Sequence, residues 1–263
     1  MRKSFSVTFF LILPGLLPFC LQAEEAATTF ERANQAYING EYAYAAELYE
    51  EMLSGGLEAA ALYFNLGNAY FKENRLAHAI LNYERARLLK PFDDNIMYNL
   101  ELARSRTTDR IETVPLIFYE RWWQRFILYQ SVDGWAKTGL IMLVLALLAA
   151  LGYFFTAAVV MKKTGFFLAL LLLFFAGISF IAAQRQYVQF YLQTDAIVFS
   201  PRVTAKSSPN PASPDLFVIH EGTKVRITNE LGEWSEIRLE NGNVGWLKND
   251  HIIAVRASGA AIP

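Results

Sequence analysis

The sequence predicts a multidomain chain with an α-helical repeat solenoid, a transmembrane helical hairpin and a small all-β barrel, in that order. Aromatic and small residues recur at a fixed interval near the N-terminus, two long uncharged apolar runs occupy the middle, and short alternating strands follow Ala196. The 263 residues are 54% hydrophobic and 19% charged, with a formal net charge of −1. Because the hydrophobic excess is concentrated in the central runs, we expect a membrane protein with soluble domains before and after them.

Residues 1–23 have the pattern of a secretory signal peptide. Arg2 and Lys3 precede a short apolar run, and Ala23 stands at its end, just before two glutamates. A basic start, a short apolar core and a small final residue are typical of such signals. We therefore expect cleavage after Ala23, so that the mature chain begins on the far side of the membrane.

Cys20 leaves open the alternative of a lipoprotein, in which a cysteine becomes the acylated first residue. Phe19 precedes it, where lipoprotein signals carry a small side chain. Cleavage after Ala23 would remove this cysteine, the only one in the sequence. The mature chain would then have neither disulfides nor thiol chemistry.

A helical-repeat signature begins at Tyr63 and ends at Pro91. Its positions are Tyr63, Leu66, Gly67, Tyr70, Ala79, Tyr83, Ala86 and Pro91. The small residues let two antiparallel helices approach closely, the aromatic residues fill the space between them, and the proline ends the second helix. This is the pattern of the tetratricopeptide (TPR) repeat, a module that binds other proteins. The alternative is an ordinary amphipathic helical hairpin.

The signature recurs along the chain, as stacked repeats require. One TPR unit has a length of about 34 residues, which we call the repeat interval. Tyr49 precedes Tyr83 by this interval, and Tyr98-Asn99-Leu100 follows Phe64-Asn65-Leu66 by the same interval. The last copy then loses the pattern, which is typical of a terminal capping helix. We therefore assign residues 24–110 to TPR repeats with a capping helix.

In each repeat unit, side chains of the first helix that do not belong to the packing signature are expected to line the groove of the repeats and bind a partner. They are Phe64, Asn65, Asn68, Phe71 and Asn99. Asparagine donates and accepts hydrogen bonds and can hold an extended peptide backbone. Alternatively, these asparagines bond neighbouring helices and serve stability alone. Residues 24–116 carry nine basic and fifteen acidic side chains, a charge of −6, which disfavours nucleic acid and favours a neutral or basic ligand.

The linking residues 111–136 are rich in aromatic side chains, with Trp122 and Trp123 between Arg121 and Arg125. Tryptophan and tyrosine beside arginine are favoured in the lipid headgroup region. The sequence therefore predicts an interfacial juxtamembrane helix. A fourth repeat helix packed on the third is the alternative.

Two uncharged runs, Thr138–Met161 and Thr164–Gln184, predict two transmembrane helices within residues 137–184. At 1.5 Å per residue they would be about 36 and 31 Å long, enough to cross a hydrocarbon core of about 30 Å. Lys162-Lys163 is the expected turn. Because the signal peptide exports the N-terminal domain and the hairpin returns, we expect both soluble domains to face the periplasm from a bacterial inner (cytoplasmic) membrane.

Residues 194–257 show the pattern of short, closely spaced strands that is typical of a small barrel. Asn241-Gly242 between alternating apolar runs is a strong hairpin signal. Together with Gly245-Trp246, this run resembles a bacterial SH3-like domain. Trp234 and Trp246 are expected to be core or groove-lining aromatic residues of that barrel, and the alternative is that they contact a ligand.

The order of the modules resembles the BatE-type protein of bacterial aerotolerance operons. The resemblance covers essentially the whole chain and rests on the combination, because each module alone is common. It implies a membrane-anchored scaffold or adaptor whose periplasmic TPR domain binds protein partners, namely other Bat proteins of an aerotolerance or envelope-stress system. The alternative is an envelope sensor whose SH3-like domain binds peptidoglycan.

The sequence does not indicate an enzyme. It has no glycine-rich phosphate loop, no zinc-ligand spacing and no Ser/His/Asp arrangement. The three histidines, His78, His220 and His251, fall in separate contexts. We therefore expect no catalytic residues, no cofactor, no metal and no nucleic-acid partner.

Overall fold

The computed structural model describes residues 17–111, 117–188 and 194–256. The predicted signal peptide lies largely outside these ranges and stays a prediction. The helices of the described part are α1 (Leu17–Ile38), α2 (Tyr42–Ser54), α3 (Ala60–Lys72), α4 (Leu76–Leu89), α5 (Asp94–Arg104), α6 (Phe118–Ile127), α7 (Val132–Phe155) and α8 (Val159–Tyr187). The strands are β1 (Asp195–Val198), β2 (Arg202–Lys206), β3 (Asp215–His220), β4 (Lys224–Leu231), β5 (Trp234–Arg238), β6 (Val244–Lys248) and β7 (Ile252–Ala254).

Helices α1 to α4 form two helical hairpins that turn in the same way. Gly40 in the first turn has φ +84° and Asn74 in the second has φ +61°, and the repeat interval separates the two. Glycine and asparagine are the residues that adopt this left-handed conformation most readily. In both turns the next residue donates its N–H to a carbonyl five residues back, at 2.9 Å.

The second hairpin closes around Gly67. A Cβ atom at this position would lie 2.7 Å from the ring of Tyr83 and 3.3 Å from the carbonyl oxygen of Ala79. Tyr83 and Ala79 are both buried in the same core, which continues from α1 to α5. Only glycine permits this approach, which explains its position in the signature.

Helices α7 and α8 pack against each other as an antiparallel hairpin. They have 24 and 29 residues and are long and apolar enough to span a membrane, which confirms the two predicted apolar spans. Gly139 faces the ring of Phe180, and the hydroxyl of Ser179 donates to the carbonyl of Trp135 at 2.7 Å. These contacts bring the start of α7 beside the end of α8.

The turn of this hairpin lies at residues 156–158, so the prediction of a turn at Lys162-Lys163 is wrong. The lysines belong to the first turns of α8, and the ammonium of Lys162 lies 6.0 Å from the ring centroid of Tyr153. Lysine is a good helix former, so a charged pair indicates where apolar surface ends rather than where a helix ends.

The C-terminal part is a seven-stranded antiparallel sheet with the strand order β3-β2-β6-β5-β4-β1-β7. Strands β5 and β6 form the predicted Asn-Gly hairpin, and Gly242 in its turn has φ +92°. Alternate residues such as Ile237 and Leu247 point into a buried core, which is why the strands alternate in hydrophobicity.

This sheet rests directly on helix α4. The side chain of Arg85 donates from Nε to the carbonyl oxygen of Val255 at 3.0 Å. Ile197 and Val255 of the barrel belong to the same buried core as the helices, and Phe199 makes an edge-on contact with the ring of His78. The helical part and the sheet therefore share an interface of buried apolar side chains.

Candidate functional site

A pair of asparagines joins helices α1 and α3. The Oδ1 atom of Asn34 accepts hydrogen bonds from the hydroxyl of Tyr49 at 2.7 Å and from the side-chain amide of Asn65 at 3.0 Å. The same arrangement recurs between α3 and α5. There Oδ1 of Asn68 accepts from the hydroxyl of Tyr83 at 2.7 Å and from the amide of Asn99 at 3.4 Å.

The three members of each bridge correspond across the repeat interval. Asn34 and Asn68, Tyr49 and Tyr83, and Asn65 and Asn99 are the matching pairs. Burial raises the pKa of Tyr49 to about 12 and also raises the pKa of Tyr83, so both hydroxyls remain protonated donors. Each bridge uses one oxygen of the central asparagine and one donor of the outer asparagine. The amide nitrogen of the central asparagine and the side-chain oxygen of the outer asparagine take no part in the bridge, so they can bond other partners.

A cavity of about 380 Å³ opens beside the first bridge. Its lining consists of Glu31, Asn34, Tyr37, Ile38, Tyr49, Asn65 and Asn68. Glu31 is the only charged side chain among them. The cavity is therefore amide-rich, partly aromatic and mildly acidic.

The structure thus brings together part of the predicted groove. Asn65 and Asn68 line the cavity, and Asn99 joins them through its bond to Asn68. Phe64 and Phe71 do not line it. Phe64 packs on the ring of Tyr83 with centroids 5.9 Å apart, and Phe71 lies under the guanidinium of Arg106 at 4.4 Å.

Asn34 and Tyr37 line the cavity although the sequence pattern did not predict them as groove residues. Asn34 precedes Asn68 by the repeat interval, so that interval contained the signal that identifies it. Tyr37 has no tyrosine partner at that interval, since position 71 is a phenylalanine. It lines the cavity because the end of α1 extends past the first bridge.

A second surface lies on the outer face of the sheet. Trp234 faces Lys248 across the β5–β6 pair, and Glu236 faces Trp246. The alternate residues of both strands point into the core, so both tryptophans lie on the outside and are half-buried. The ammonium of Lys248 is 6.0 Å from the ring centroid of Trp234. The structure therefore places both tryptophans outside the core, on the outer face of the sheet.

A buried ionic cluster forms where the sheet meets the helices. Glu84 of α4 is 1% exposed, and it accepts from Arg87 at 2.7 Å, from Lys224 at 3.3 Å and from Arg104. Lys224 also lies 2.6 Å from a carboxylate oxygen of Asp195. Burial alone would raise the pKa of Glu84, but the three cations outweigh it and hold that pKa at about 2.

A second polar link surrounds Asp109. This carboxylate accepts from the backbone N–H of His220 at 2.6 Å, from its ring Nδ1 at 2.7 Å and from the hydroxyl of Thr223 at 2.6 Å. Burial opposes ionisation, but these hydrogen bonds prevail and lower the pKa of Asp109. The strand end of the barrel is thus held by a side chain that follows helix α5.

The described residues contain no group of three or more His, Cys, Asp or Glu side chains that could hold a metal ion. The histidines are separate. His78 contacts Tyr70 and Phe199, His220 bonds Asp109, and His251 is 2.7 Å from the hydroxyl of Ser200.

The fold of the C-terminal part and its outer aromatic face define a small SH3-like sheet domain. Residues 202–253 match the bacterial SH3 domain family, which confirms this part of the prediction. Strand β1 lies before the match and pairs with both β4 and β7. No curated protein and no solved structure gives a significant match to the chain.

Proposed function

We propose that the chain is a membrane-anchored, non-enzymatic adaptor whose helical hairpins are TPR units that bind a protein partner. The observation that carries this proposal is the bridge of two asparagines and a tyrosine that recurs at the repeat interval on the first helices of successive hairpins. An ordinary helical hairpin has no reason to repeat a polar bridge at the length of a TPR unit. The equal turns at Gly40 and Asn74 support the same assignment.

The groove is suited to an extended peptide. Its asparagines offer both donors and acceptors, which are the groups needed to hold a peptide backbone. Glu31 is the only charged side chain of its lining, so a neutral or basic segment fits better than an acidic one. Ile38, at its rim, is 74% exposed and offers apolar contact. The resemblance to BatE-type proteins makes other Bat membrane proteins the proposed partners.

The proposed location is the periplasmic face of a bacterial inner membrane. The start of α7 lies beside the end of α8, so that a spanning hairpin returns both soluble parts to one side. The signal-peptide pattern of residues 1–23 supports the periplasmic side. Protease added to spheroplasts should then digest both soluble parts, and protection of only one of them would contradict this topology.

Site-specific photocrosslinking in native membranes tests the adaptor function. A photoreactive amino acid at position 38, in the rim of the groove, should crosslink a Bat protein encoded beside this chain. The same amino acid at Leu89, which is also exposed but lies at the end of α4, serves as the matched control. Ile38→Lys should weaken co-purification of that partner while the melting curve stays unchanged. Equal crosslinking from both positions would contradict the groove.

A second candidate function is binding of peptidoglycan by the sheet domain, which the match to the bacterial SH3 domain family favours. The half-buried Trp234 and Trp246 on its outer face are the proposed contacts, because aromatic faces pack well on sugar rings and peptide stems. Co-sedimentation of the detergent-solubilised chain with purified peptidoglycan tests it. Trp246→Ala should reduce the bound fraction, whereas Trp122→Ala in α6 should not.

A further inference from the structure

A cleft of about 430 Å³ lies at one side of the contact between the helical part and the sheet. Arg87 and Phe92 form part of its helical wall, and Lys224 and Arg226 form part of its sheet wall. Leu128, the residue that follows α6, completes the lining. The cleft is therefore bounded by three parts of the chain that are far apart in sequence.

The cleft has an excess of positive charge. Its lining contains four basic side chains, Arg87, Lys224, Arg226 and Arg256, and three acidic ones, Glu84, Asp195 and Glu240. Four cations minus three anions leave a surplus of one in the cleft itself, and Arg104 pairs with Glu84 from the adjoining cavity. Glu84 is already saturated by three cations, so it does not repel a further anion strongly.

Several donors in the cleft are not used by these ion pairs. Arg87 contacts Glu84 through Nη2, and its buried Nε has no hydrogen-bond partner within the described residues. In the adjoining cavity, the buried Nε of Arg104 likewise has no hydrogen-bond partner within the described residues. Arg226 contacts Asp195 through Nε at 3.4 Å, which leaves its terminal nitrogens outside that contact. A guanidinium has five donors in a planar fork that matches the oxygens of a phosphate.

The cleft lies at the level of the predicted membrane surface. Leu128 is followed within four residues by Val132, where the first spanning helix begins. Phe92, Met97 and Leu128 give its edge exposed apolar side chains. In the helix before Leu128, Phe118 and Trp122 are largely exposed, which is typical of a segment at the lipid headgroups.

We propose that this cleft binds the phosphate headgroup of an anionic phospholipid, whose acyl chains would run along the apolar surface of the hairpin. Basic pockets beside membrane spans hold anionic headgroups in other membrane proteins. The apolar edge distinguishes this cleft from a site for free phosphate, because a free ion gains nothing from Phe92 and Leu128. Such a lipid fixes the sheet and the helices together at the bilayer and does not involve the asparagine groove.

Native mass spectrometry of the full chain, purified in detergent with added dioleoylphosphatidylglycerol or dioleoylphosphatidylcholine, tests the proposal. The parent should retain phosphatidylglycerol in preference to phosphatidylcholine. The double variant Arg226→Gln/Arg256→Gln should lower phosphatidylglycerol occupancy by about tenfold, because it removes two charged donors. Arg202→Gln/Lys248→Gln is the control with the same charge change, and neither of its residues lines the cleft.

Any of the following outcomes would overturn the proposal: equal retention of the two lipids by the parent, unchanged occupancy in the double variant, equal loss in the control pair, or displacement of the lipid by millimolar inorganic phosphate. The last would identify a site for free phosphate. Displacement by an acidic peptide that itself binds would identify a peptide site and would likewise overturn it. Melting curves of both double variants should match that of the parent. If the cleft variant unfolds, the single variant Arg226→Lys, which keeps the charge, is tested in its place and should retain phosphatidylglycerol as the parent does.

Discussion

The ammonium of Lys224, on the first residue of strand β4, lies 3.3 Å from the carboxylate of Glu84 in the middle of helix α4, although 140 residues separate the two in sequence. The contact joins the sheet domain to the helical part, and it lies in an interface where the carboxylate is almost fully buried. A buried carboxylate is tolerated only when it is paired. The sheet domain therefore supplies part of the charge that makes this helix stable, so the two parts depend on each other.

Glu84→Gln should destabilise the full chain strongly. The amide keeps the shape of the side chain but leaves Arg87, Arg104 and Lys224 close together without their shared anion. Removal of one partner from a buried ionic group costs about 3–5 kcal/mol. Chemical denaturation of the detergent-solubilised chain measures it. Glu73→Gln is the control, since Glu73 pairs with Arg75 at 3.8 Å near the surface and its loss should cost less than about 1 kcal/mol. Equal effects of the two variants would contradict the role of the cluster.

The stability of the chain should fall in acid, below about pH 4.5, because of the same carboxylate. The pKa of Glu84 is lowered from its ordinary value of 4.5 to about 2 in the folded chain. A group with a lowered folded pKa contributes stability above its unfolded pKa and loses it as the pH falls through the folded pKa. The free energy of unfolding should therefore decrease between about pH 4.5 and 2, and Asp109, whose pKa is also lowered, adds to that decrease. Glu84→Gln should flatten this part of the curve, and an unchanged slope would contradict the assignment.

The local features of the fold could be predicted from the sequence, and the contacts between its parts could not. The helical-repeat signature identified Gly67 and Tyr83, because a close helix contact needs a specific small residue and a specific large one. The Asn-Gly turn at Gly242 identified the β5–β6 hairpin for a similar local reason. Both signals depend on residues that are near in sequence or repeat at a fixed distance.

The ionic interface had no such signal. Nothing near Glu84 indicates that Lys224 will cover it, since the pair forms only when two distant parts of the chain meet. The turn of the membrane hairpin was misplaced for another reason. Charge marks the end of apolar surface, and the lysine pair was taken for the turn, but helix α8 continues through Lys162-Lys163. In the groove, Phe64 and Phe71 were expected to face a ligand because they are absent from the packing signature, but they pack within the helical part.

Gly67→Ala should destabilise the helical part by about 1–3 kcal/mol through overpacking. The added methyl would lie 2.7 Å from two ring carbons of Tyr83, and a buried ring cannot move aside without disturbing the core. Hydrogen exchange of α3 and α4 in the full chain measures the effect. Gly177→Ala in α8 is the matched control, because its Cβ would meet open space and the helical part should be unaffected. Unchanged exchange in Gly67→Ala would show that α3 and α4 do not approach as described.

Asn65→Ala/Asn99→Ala tests whether the bridges serve binding or stability. Asn65 donates to Asn34 at 3.0 Å and Asn99 donates to Asn68 at 3.4 Å, so the double variant removes one hydrogen bond from each bridge. If the groove binds a partner, co-purification should fall by tenfold or more, because each polar group left unpaired costs about 1–3 kcal/mol of binding free energy. Circular dichroism on the same variant separates the two roles. A loss of capture that merely follows a lower melting temperature would assign the asparagines to stability alone.

The junction between α6 and the hairpin provides a last prediction. The indole Nε1 of Trp135 donates to the carbonyl oxygen of Ile127 at 2.7 Å, and the side chain of Gln186 donates to the carbonyl of Gln130 at 3.0 Å, so the end of α6 is held by both helices of the hairpin. Trp135→Phe keeps the apolar ring but leaves that buried carbonyl with only a long contact from Gln186, at 3.4 Å. A neutral hydrogen bond contributes about 1 kcal/mol, so local opening of α6 should become roughly five- to tenfold more frequent. Hydrogen exchange of α6 amides in lipid nanodiscs measures this opening.

Trp122→Phe is the matched control, because Trp122 is largely exposed and stacks on Phe126, so a phenylalanine can replace its ring contact. Equal exchange in the two variants would show that the indole bond does not hold α6 to α7 and α8.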